Sequence, residues 1–507
     1  MRIYLTLFIA FFICCSYGQS GIGNLPMHRY AERIYQKYNL FTGSNSSIRP
    51  FMKEDFVDSI LQSIDSNWAA VEAKIFKVSL LTDIESGMDI NQKQTDFSYR
   101  GGAGFGVNVE VKNRLNIKLD YLYNYVDGPS FIDSSMSQLG VAPGFGRTTK
   151  MNDAFGYHQI QGSIHFKAGK FFTLQAGNGK HFFGDGYRSL LLSDVANNYL
   201  YAKITTSFWK VKYVNLFTKQ RSIYGVENNP AQFKGKYTAT HYLDWNVSKR
   251  INVGLFETIV WQAEDTLLNR GFEFNYLNPI IFYRPVEYQQ GSADNALMGL
   301  NVSVNVGKKT KIYAQFIIDE FLLAEIKGDS GWWANKYGAQ IGLKSYDVIP
   351  GLDLQSEISS VKPYTYSHGS QVQNYGHDNG SLAHPYGSNF WEWVSFVTYR
   401  KSKWIFEEQF NVAVHGEDSI PSISYGGNMF QTYSNRPYNY NHFTGQGLRT
   451  IVIYNHLKAS YLVSEKINLR VEFGHVYRER KNGLRYESNH YFYFGIKTNL
   501  WNRYNDY

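Results

Sequence analysis

The chain has 507 residues, of which 43% are hydrophobic, 17% aromatic and 19% charged. Disordered chains are poor in aromatic residues and rich in charge, so this composition excludes an intrinsically disordered protein. The net charge of +8 is small for this length and no long run of Lys and Arg is present, so nucleic acid is not an expected partner.

Residues 1–18 have the pattern of a secretory signal peptide. Arg2 supplies the positive start, an apolar run extends from Ile3 to Ile13, and the small residues Ser16 and Gly18 precede the predicted cleavage site. Both cysteines of the chain lie inside this segment. The mature protein is therefore expected to lack disulfides and thiolate metal sites.

Residues 19–68 are predicted to form an N-terminal helical segment. Two prolines stand where the first turn of a helix accepts them, and each precedes apolar residues at helical spacing. The first set is Met27, Tyr30, Ala31, Ile34 and Tyr38 after Pro26, and the second is Met52, Phe56, Ile60 and Ile64 after Pro50. Neither predicted helix is long enough to cross a membrane, and their apolar stripes need a protein surface to cover.

Residues 69–507 alternate apolar and polar side chains, which is the pattern of β-strands. Near the end of the chain, for example, Leu469, Val471 and Phe473 alternate with Arg470 and Glu472. A soluble β-sandwich would show the same alternation. The connections between the strands must therefore discriminate between the two architectures.

The connections are of two kinds, which alternate along the chain. Eight are short, at residues 112–114, 167–170, 209–210, 248–250, 307–310, 346–351, 400–403 and 464–466. Nine are longer, polar and rich in glycine, at residues 84–97, 127–156, 179–199, 222–235, 262–294, 323–335, 362–388, 415–446 and 479–489. Together they would join eighteen strands.

This alternation is typical of an outer-membrane β-barrel, which has an even number of antiparallel strands. We therefore predict an all-β transmembrane barrel of about eighteen strands in outer-membrane lipid and lipopolysaccharide. Both termini are expected in the periplasm, with the helical segment against the barrel mouth there. Val107, Val109 and Val111 predict the lipid-facing side, and Asn108 and Glu110 predict the lumen.

Several segments of the predicted loops resemble a known family. They are Gly184 to Ser193, Gly271 to Pro279, Tyr283 to Glu287, Gly331 to Lys336 and Pro363 to His368. These segments are similar to the Wzi-type capsule-assembly proteins, in the branch of the gliding-motility protein RemB, and the resemblance extends from about residue 25 to the end. It implies a non-enzymatic barrel that attaches or organises capsular or extracellular polysaccharide at the cell surface.

Two other functions stay open at this stage. The resemblance also implies a role in gliding motility or secretion, with motility or export machinery as the partner. A general porin is the further alternative, because an eighteen-strand barrel is wide enough for an aqueous channel. We expect several long loops to fold inward and close the lumen. No cofactor is expected, and without a nucleophile elbow a hydrolase is not favoured.

Four loop residues have side chains suited to sugars. Tyr187 and Arg188 follow strand five, and Arg284 and Glu287 follow strand nine. Sugars offer hydroxyls to Arg and Glu and apolar ring faces to aromatic side chains. These residues, together with Trp333, are the predicted ligand-binding residues. The alternative is that the charged residues form ion pairs in loops folded into the lumen.

Trp332 and Trp333 precede strand twelve, where an aromatic girdle at the membrane boundary would explain them without a ligand. His368, His377 and His384 share one loop, but their spacing does not by itself make them converge, so no metal site is predicted.

Gly102, Gly104 and Gly106 contain part of a dinucleotide-binding spacing. A strand and no helix follows them, so the pattern fails its structural requirement. Bending or close approach of strands is the predicted role of these glycines.

Overall fold

The computed structural model describes residues 23–25, 27–42, 45–56, 71–73, 76–111, 114–264, 270–280, 294–328, 330–420, 422–464, 468–498 and 501–507. The predicted signal peptide lies outside these ranges. Within them, eighteen antiparallel strands close into one barrel, as predicted.

The strands of the barrel follow one another in chain order. They are β1 Phe76–Asn91, β2 Thr95–Val111, β3 Leu115–Asp127, β4 Ala154–Ala168, β5 Phe172–Gly179, β6 Tyr199–Phe208, β7 Val211–Ser222, β8 Lys234–Asn246, β9 Ile251–Gln262, β10 Asn295–Val306, β11 Thr310–Glu320, β12 Lys336–Ser345, β13 Leu352–Val361, β14 Phe390–Lys401, β15 Trp404–Glu417, β16 Leu448–Ser464, β17 Leu469–Lys481 and β18 Tyr486–Lys497. Each strand pairs with its neighbour in sequence, and β18 closes the barrel on β1, with Lys497 opposite Asp83.

Alternate side chains point to opposite sides of the barrel wall. On the outside, Leu80, Ile84 and Phe97 are 52%, 51% and 67% exposed. On the inside, Glu85 and Arg100 are buried, with Arg100 Nη1 3.5 Å from Glu85 Oε2. The predicted division into an apolar outer face and a polar inner face is confirmed.

Gly104 shows why β2 is rich in glycine. A Cβ atom at this position would lie 1.9 Å from the carbonyl oxygen of Tyr121 and 2.7 Å from the Cα of Leu122. Only a residue without a side chain permits this approach to β3. The glycines therefore belong to a strand, and the strand interpretation is confirmed.

The two ends of the barrel differ. All eight connections predicted to be short join strand ends at one end of the barrel, called here the short-turn end, and the connections predicted to be long join strand ends at the other, the long-loop end. Residues 112–113 and 465–467 of the short connections lie outside the described residues. Two of the nine predicted loops are wrong, because residues 92–94 and 482–485 form tight hairpins. Asn91 Oδ1 accepts hydrogen bonds from the N–H groups of Lys93 and Gln94, and Asn482 makes the equivalent turn. These polar strand ends resembled loops in the sequence.

In the described part of the chain, three helices accompany the barrel: α1 Arg29–Thr42, α2 Ser130–Leu139 and α3 Leu323–Lys327. The predicted first helix is confirmed as α1. The predicted second helix is seen only as a 3₁₀ turn at Lys53–Asp55, and its later part, residues 57–70, lies outside the described residues. Among the described residues, no helix has the length and hydropathy of a membrane span.

The helix α2 was not predicted. It begins directly after Pro129 and ends at Gly140, whose φ of 67° is left-handed and whose N–H donates to the carbonyl of Met136. Proline before a helix and glycine after it are common boundary signals, so the sequence did contain the information.

The apolar core lies inside the barrel. The loop of residues 180–198 turns into the lumen and buries Phe183, Leu190 and Leu191 against the inner wall. Tyr366 and Tyr375 from the loop of residues 362–389 join the same core. The predicted inward folding of long loops is therefore confirmed for the loop of residues 362–389.

Candidate functional site

The helix α1 occupies the mouth of the lumen at the short-turn end. Arg33 Nε lies 3.1 Å from Asp353 Oδ2, and Lys344 Nζ donates to Gln36 Oε1 at 2.6 Å. Asp353 and Lys344 belong to the inner wall, on β13 and β12. The helix therefore lies within the mouth and contacts the inner wall, and its predicted location on the periplasmic side stays a prediction.

Residues 45–49 connect α1 to the loop of residues 180–198, called here the inturned loop. Ile48 and Arg49 pair as a short strand with Phe182–Phe183. The Arg49 guanidinium donates to the carbonyls of Gly184 and Gly186 at 3.0 and 2.8 Å, and its other terminal nitrogen donates to Glu32 at 2.7 Å. One buried cation thus ties the N-terminal segment to the loop that fills the lumen.

Arg188 is the centre of a buried charge cluster. Its Nε and Nη2 donate to the two oxygens of Glu392 at 3.0 and 2.9 Å, and Nη2 also donates to Asp506 Oδ2 at 2.9 Å. The side chain of Arg188 has no exposed surface. Burial by itself lowers the pKa of Arg188, but the carboxylates of Asp506 and Glu392 outweigh it and hold the pKa well above its ordinary value.

The cluster brings together distant parts of the chain. Glu392 lies on β14, Asp506 belongs to residues 501–507, which run back into the lumen, and Arg188 lies in the inturned loop. Tyr504 extends the contact, because its hydroxyl donates to Asp194 Oδ1 at 2.6 Å. Three separate segments are therefore fastened to one another inside the barrel.

Tyr187 supports the same cluster. Its hydroxyl donates to Asp506 Oδ2 at 3.0 Å, and its backbone N–H donates to Glu357 Oε2 at 2.8 Å. Its ring centroid lies 4.7 Å from that of Phe396 on the inner wall. Tyr187 and Arg188 therefore lie inside the lumen, in the arrangement that the sequence analysis gave as the alternative to ligand binding.

The other two charged residues predicted to bind a ligand, Arg284 and Glu287, lie outside the described residues. Their role remains a prediction.

The three histidines of the loop of residues 362–389 take part in loop packing. His384 Nε2 lies 2.7 Å from Glu392 Oε2, His377 Nδ1 accepts from the N–H of Arg221, and His368 Nδ1 accepts from the N–H of Ser370. Burial lowers the pKa of each histidine, that of His368 to about 4. Over the described part of the chain, no group of three or more His, Cys, Asp and Glu side chains is placed to hold a metal.

A polar cavity of about 210 Å³ remains between the filled part of the lumen and the wall formed by β15–β18 and β1–β3. Its charges are paired: Lys458 Nζ lies 2.9 Å from Glu407, and Lys497 Nζ lies 2.6 Å from Glu85 and 3.0 Å from Glu472. Phe131 of α2, packed on Tyr454, Val476, Tyr491 and Tyr493, lines it as well. Among the described residues, this part of the lumen is therefore a polar cavity whose charged groups are paired.

Trp333 lies in a cluster between two loops at the long-loop end. Its ring centroid is 4.7 Å from that of Tyr433, and the guanidinium carbon of Arg436 lies 4.0 Å from the Trp333 ring centre. Trp333 Nε1 is buried, and no described residue accepts a hydrogen bond from it. The neighbouring Trp332 ring is 5.0 Å from that of Tyr440. Both tryptophans therefore contact residues of another loop.

Sequence reasoning missed the acidic partners of Arg188 and the loop partners of Trp333. Glu392 did carry a signal, because it stands between Trp391 and Trp393 in a strand with outward aromatic residues, so its charge has to face the lumen. No comparable local signal marks Asp506.

By sequence, the chain matches no protein-family profile and no curated protein. It is similar in structure to Wzi, described as a carbohydrate-binding β-barrel and an outer-membrane protein involved in group 1 capsule assembly in Escherichia coli. The TM-score is 0.58 at 11% sequence identity, over 95% of this chain and all of that one. The chain therefore has a Wzi-like barrel fold.

Two further solved structures show a weaker similarity. OccAB2 of Acinetobacter baumannii has a TM-score of 0.43 at 10% identity, over 84% of this chain and 98% of that one. OpdK of Pseudomonas aeruginosa has a TM-score of 0.46 at 10% identity, over 83% of this chain and 98% of that one.

Proposed function

We propose that the protein is a sealed outer-membrane barrel that attaches or organises polysaccharide at the cell surface, without catalysis. The observation that carries this proposal is the occupied lumen. The helix α1, the inturned loop of residues 180–198 and residues 501–507 fill it and are held together by Arg49 and Arg188. These three segments are called here the plug. Because the plug fills the interior, we place the functional surface at the long-loop end.

The wall supports a location in the outer membrane. Large apolar side chains cover its outside, and charged side chains cover its inside. This arrangement suits lipid outside and a polar lumen inside. In that membrane the short-turn end, with α1, would face the periplasm and the long-loop end would face the medium.

Polysaccharide is the proposed ligand because the long-loop end combines aromatic rings with polar side chains, and because Wzi, which shares the fold, is described as carbohydrate-binding. Among the residues predicted from sequence, we assign Trp333 to the binding surface. Tyr187 and Arg188 are assigned to the seal of the lumen, and Arg284 and Glu287 remain candidates in their loop.

Deleting the gene tests the proposal. Surface polysaccharide should then appear in the medium instead of on the cells, and a plasmid copy of the gene should restore it. The assay is the ratio of cell-bound to released polymer. An unchanged coat combined with defective spreading on agar would contradict polysaccharide attachment and favour the motility role implied by the likeness to RemB.

A further inference from the structure

We propose that residues 330–333 and 436–443 form a single binding platform for an acidic polysaccharide. The inference rests on the proposed function and assigns its binding surface. The exposed part of this platform consists of Tyr438, Tyr440 and Phe443, which are 42%, 46% and 58% exposed, with Trp332 beside them. Clusters of exposed aromatic residues mark binding sites more often than single ones do.

The platform is preorganised by backbone hydrogen bonds between the two loops. The N–H of Trp333 donates to the carbonyl of Asn439 at 3.0 Å. The N–H groups of Asn441 and His442 donate to the carbonyls of residues 330 and 331 at 3.0 and 2.9 Å. A surface fixed in this way loses little conformational entropy when it binds.

Gly331 makes the contact between the loops. Its φ is +63°, and a Cβ atom there would lie 2.8 Å from the backbone nitrogen of His442. Both the left-handed conformation and the short distance favour glycine at this position.

The arrangement of the rings suits the apolar faces of sugar rings. Trp332 and Tyr440 have centroids 5.0 Å apart, and Tyr438 stacks on His442 at 4.6 Å. Asn439 and Asn441 alternate with the tyrosines and are exposed, so amide donors and acceptors lie beside the rings. Sugars need both kinds of contact, because their hydroxyl edges and apolar faces alternate.

Charge argues for an acidic polymer. Residues 419–446 contain no Asp or Glu. On the other loop of the platform, the carboxylate of Glu325 accepts a hydrogen bond from Ser330 Oγ at 2.7 Å. Arg436 lies among them, and its Nε and Nη1 donate to Asn439 Oδ1 and to the carbonyl of Tyr433 at 2.9 and 3.1 Å. No described residue accepts from Arg436 Nη2, so this nitrogen can donate to a carboxylate of a bound uronic acid.

Binding to two commercial polymers tests the ligand class. We would measure binding of the purified full chain in detergent to alginate, a polyuronate, and to dextran, a neutral glucan. The unmodified protein should prefer alginate, and the double variant Tyr438→Ala/Tyr440→Ala should bind alginate at least about tenfold more weakly. Arg436→Gln should reduce the preference for alginate. Tyr486→Ala, at an equally exposed tyrosine on β18, is the matched control and should bind normally.

The platform is wrong if the double variant binds alginate like the unmodified protein, and the acidic class is wrong if alginate is not preferred over dextran. If the double variant still binds alginate but no longer resists heat unfolding in detergent, the tyrosines form a membrane girdle, and the platform is again wrong. The same double variant should also release polymer in cells. Full retention by that variant, in a strain whose gene deletion releases polymer, would overturn the platform and leave the proposed function intact.

Discussion

At the scale of single residues, Arg188 is a buried cation that joins three segments of the interior. It is fully buried and satisfies two carboxylates, one on the wall and one on residues 501–507. Removing one partner of a buried ion pair leaves an uncompensated charge, which costs far more than losing an exposed pair. The buried cluster is therefore a stability determinant of the filled barrel.

We expect Arg188→Met to lower the free energy of unfolding by about 3–5 kcal/mol, because Glu392 and Asp506 would stay buried without their cation. Urea unfolding in detergent, followed by tryptophan fluorescence, measures this. Arg480→Met is the matched control, since Arg480 pairs with Glu417 at a partly exposed site, and it should cost only about 0–1 kcal/mol. Equal losses in the two variants would show that Arg188 does not hold the plug.

A second prediction concerns Gly104. Its substitution by alanine would place a methyl group within 1.9 Å of the Tyr121 carbonyl, so β2 and β3 would have to separate. We expect Gly104→Ala to cost about 1–3 kcal/mol in the same unfolding assay. At Gly101, in the same strand, a Cβ atom would have no neighbour within 4 Å, so Gly101→Ala should be neutral to within about 0.5 kcal/mol. A neutral Gly104→Ala would contradict the strand-approach argument.

The sequence predicts the residue types of the candidate site but not the partners of those residues. Arg188 was chosen because its loop carries suitable chemistry, but its partners are 204 and 318 residues away in the chain. Such pairings depend on which strands face each other across the lumen, and the local sequence does not contain that information. Trp333 is a predicted ligand-binding residue because of its aromatic side chain. Its neighbours Tyr433 and Arg436 lie in another loop, so the local sequence does not predict them.

At the scale of elements, α2 is held against the barrel wall by hydrogen bonds at its first residue. Its first residue, Ser130, donates from both its N–H and its hydroxyl to Asp89 Oδ2, at 2.9 and 2.7 Å. Asn489 donates to Ser130 Oγ at 2.8 Å. The helix is thus fastened to β1 and β18, beside the place where the barrel closes.

A carboxyl group in α2 should make the helix sensitive to pH. Burial raises the pKa of Asp133 from its ordinary value of 3.8 to about 7, the hydrogen bond from Gly128 opposes the rise, and the charge of Asp127 adds to it. Between about pH 4 and pH 7 the folded form therefore binds a proton that the unfolded form lacks, so stability falls as pH rises through this range.

We expect Asp133→Asn to raise the thermal unfolding midpoint relative to the unmodified protein at about pH 8.5, with a smaller difference at about pH 5, because only the charged carboxyl is penalised. Circular dichroism in detergent measures both midpoints. Asp153→Asn, at an exposed position of the same loop, is the control and should shift the midpoint equally at both pH values. A pH-independent effect of Asp133→Asn would refute the burial argument.

The elements themselves were largely predictable. Alternation of apolar and polar residues predicted the strands, and each of the eight predicted short connections falls between two consecutive strands. The errors came at two hairpins with polar residues at the strand ends: Asp89 and Asn91 are polar, yet Asp89 is a buried anchor and Asn91 closes a hairpin. Polar residues in a strand and in a loop cannot be told apart by alternation alone.

At the scale of the whole molecule, the segments that fill the lumen predict a low ion conductance. The unmodified protein should show no large stable channel in planar bilayers, although eighteen strands could enclose one. Removing residues 501–507 takes away Asp506 and the contact of Tyr504 with Asp194, so the plug should loosen and conductance should rise. Asp506→Asn, which keeps the segment in place, is the control and should open the channel less. Large conductance from the unmodified protein would favour a porin.

The contact between Arg188 and Asp506 also constrains the order of assembly. The residues that complete the buried cluster follow β18, the strand that closes the wall. Until they arrive, a desolvated Arg188 would lack one of its two anions, which is a costly state. We therefore expect the surroundings of Arg188 to stay hydrated while the strands pair. On this argument the contact between Arg188 and Asp506 forms late in folding, after β18 has paired with β1.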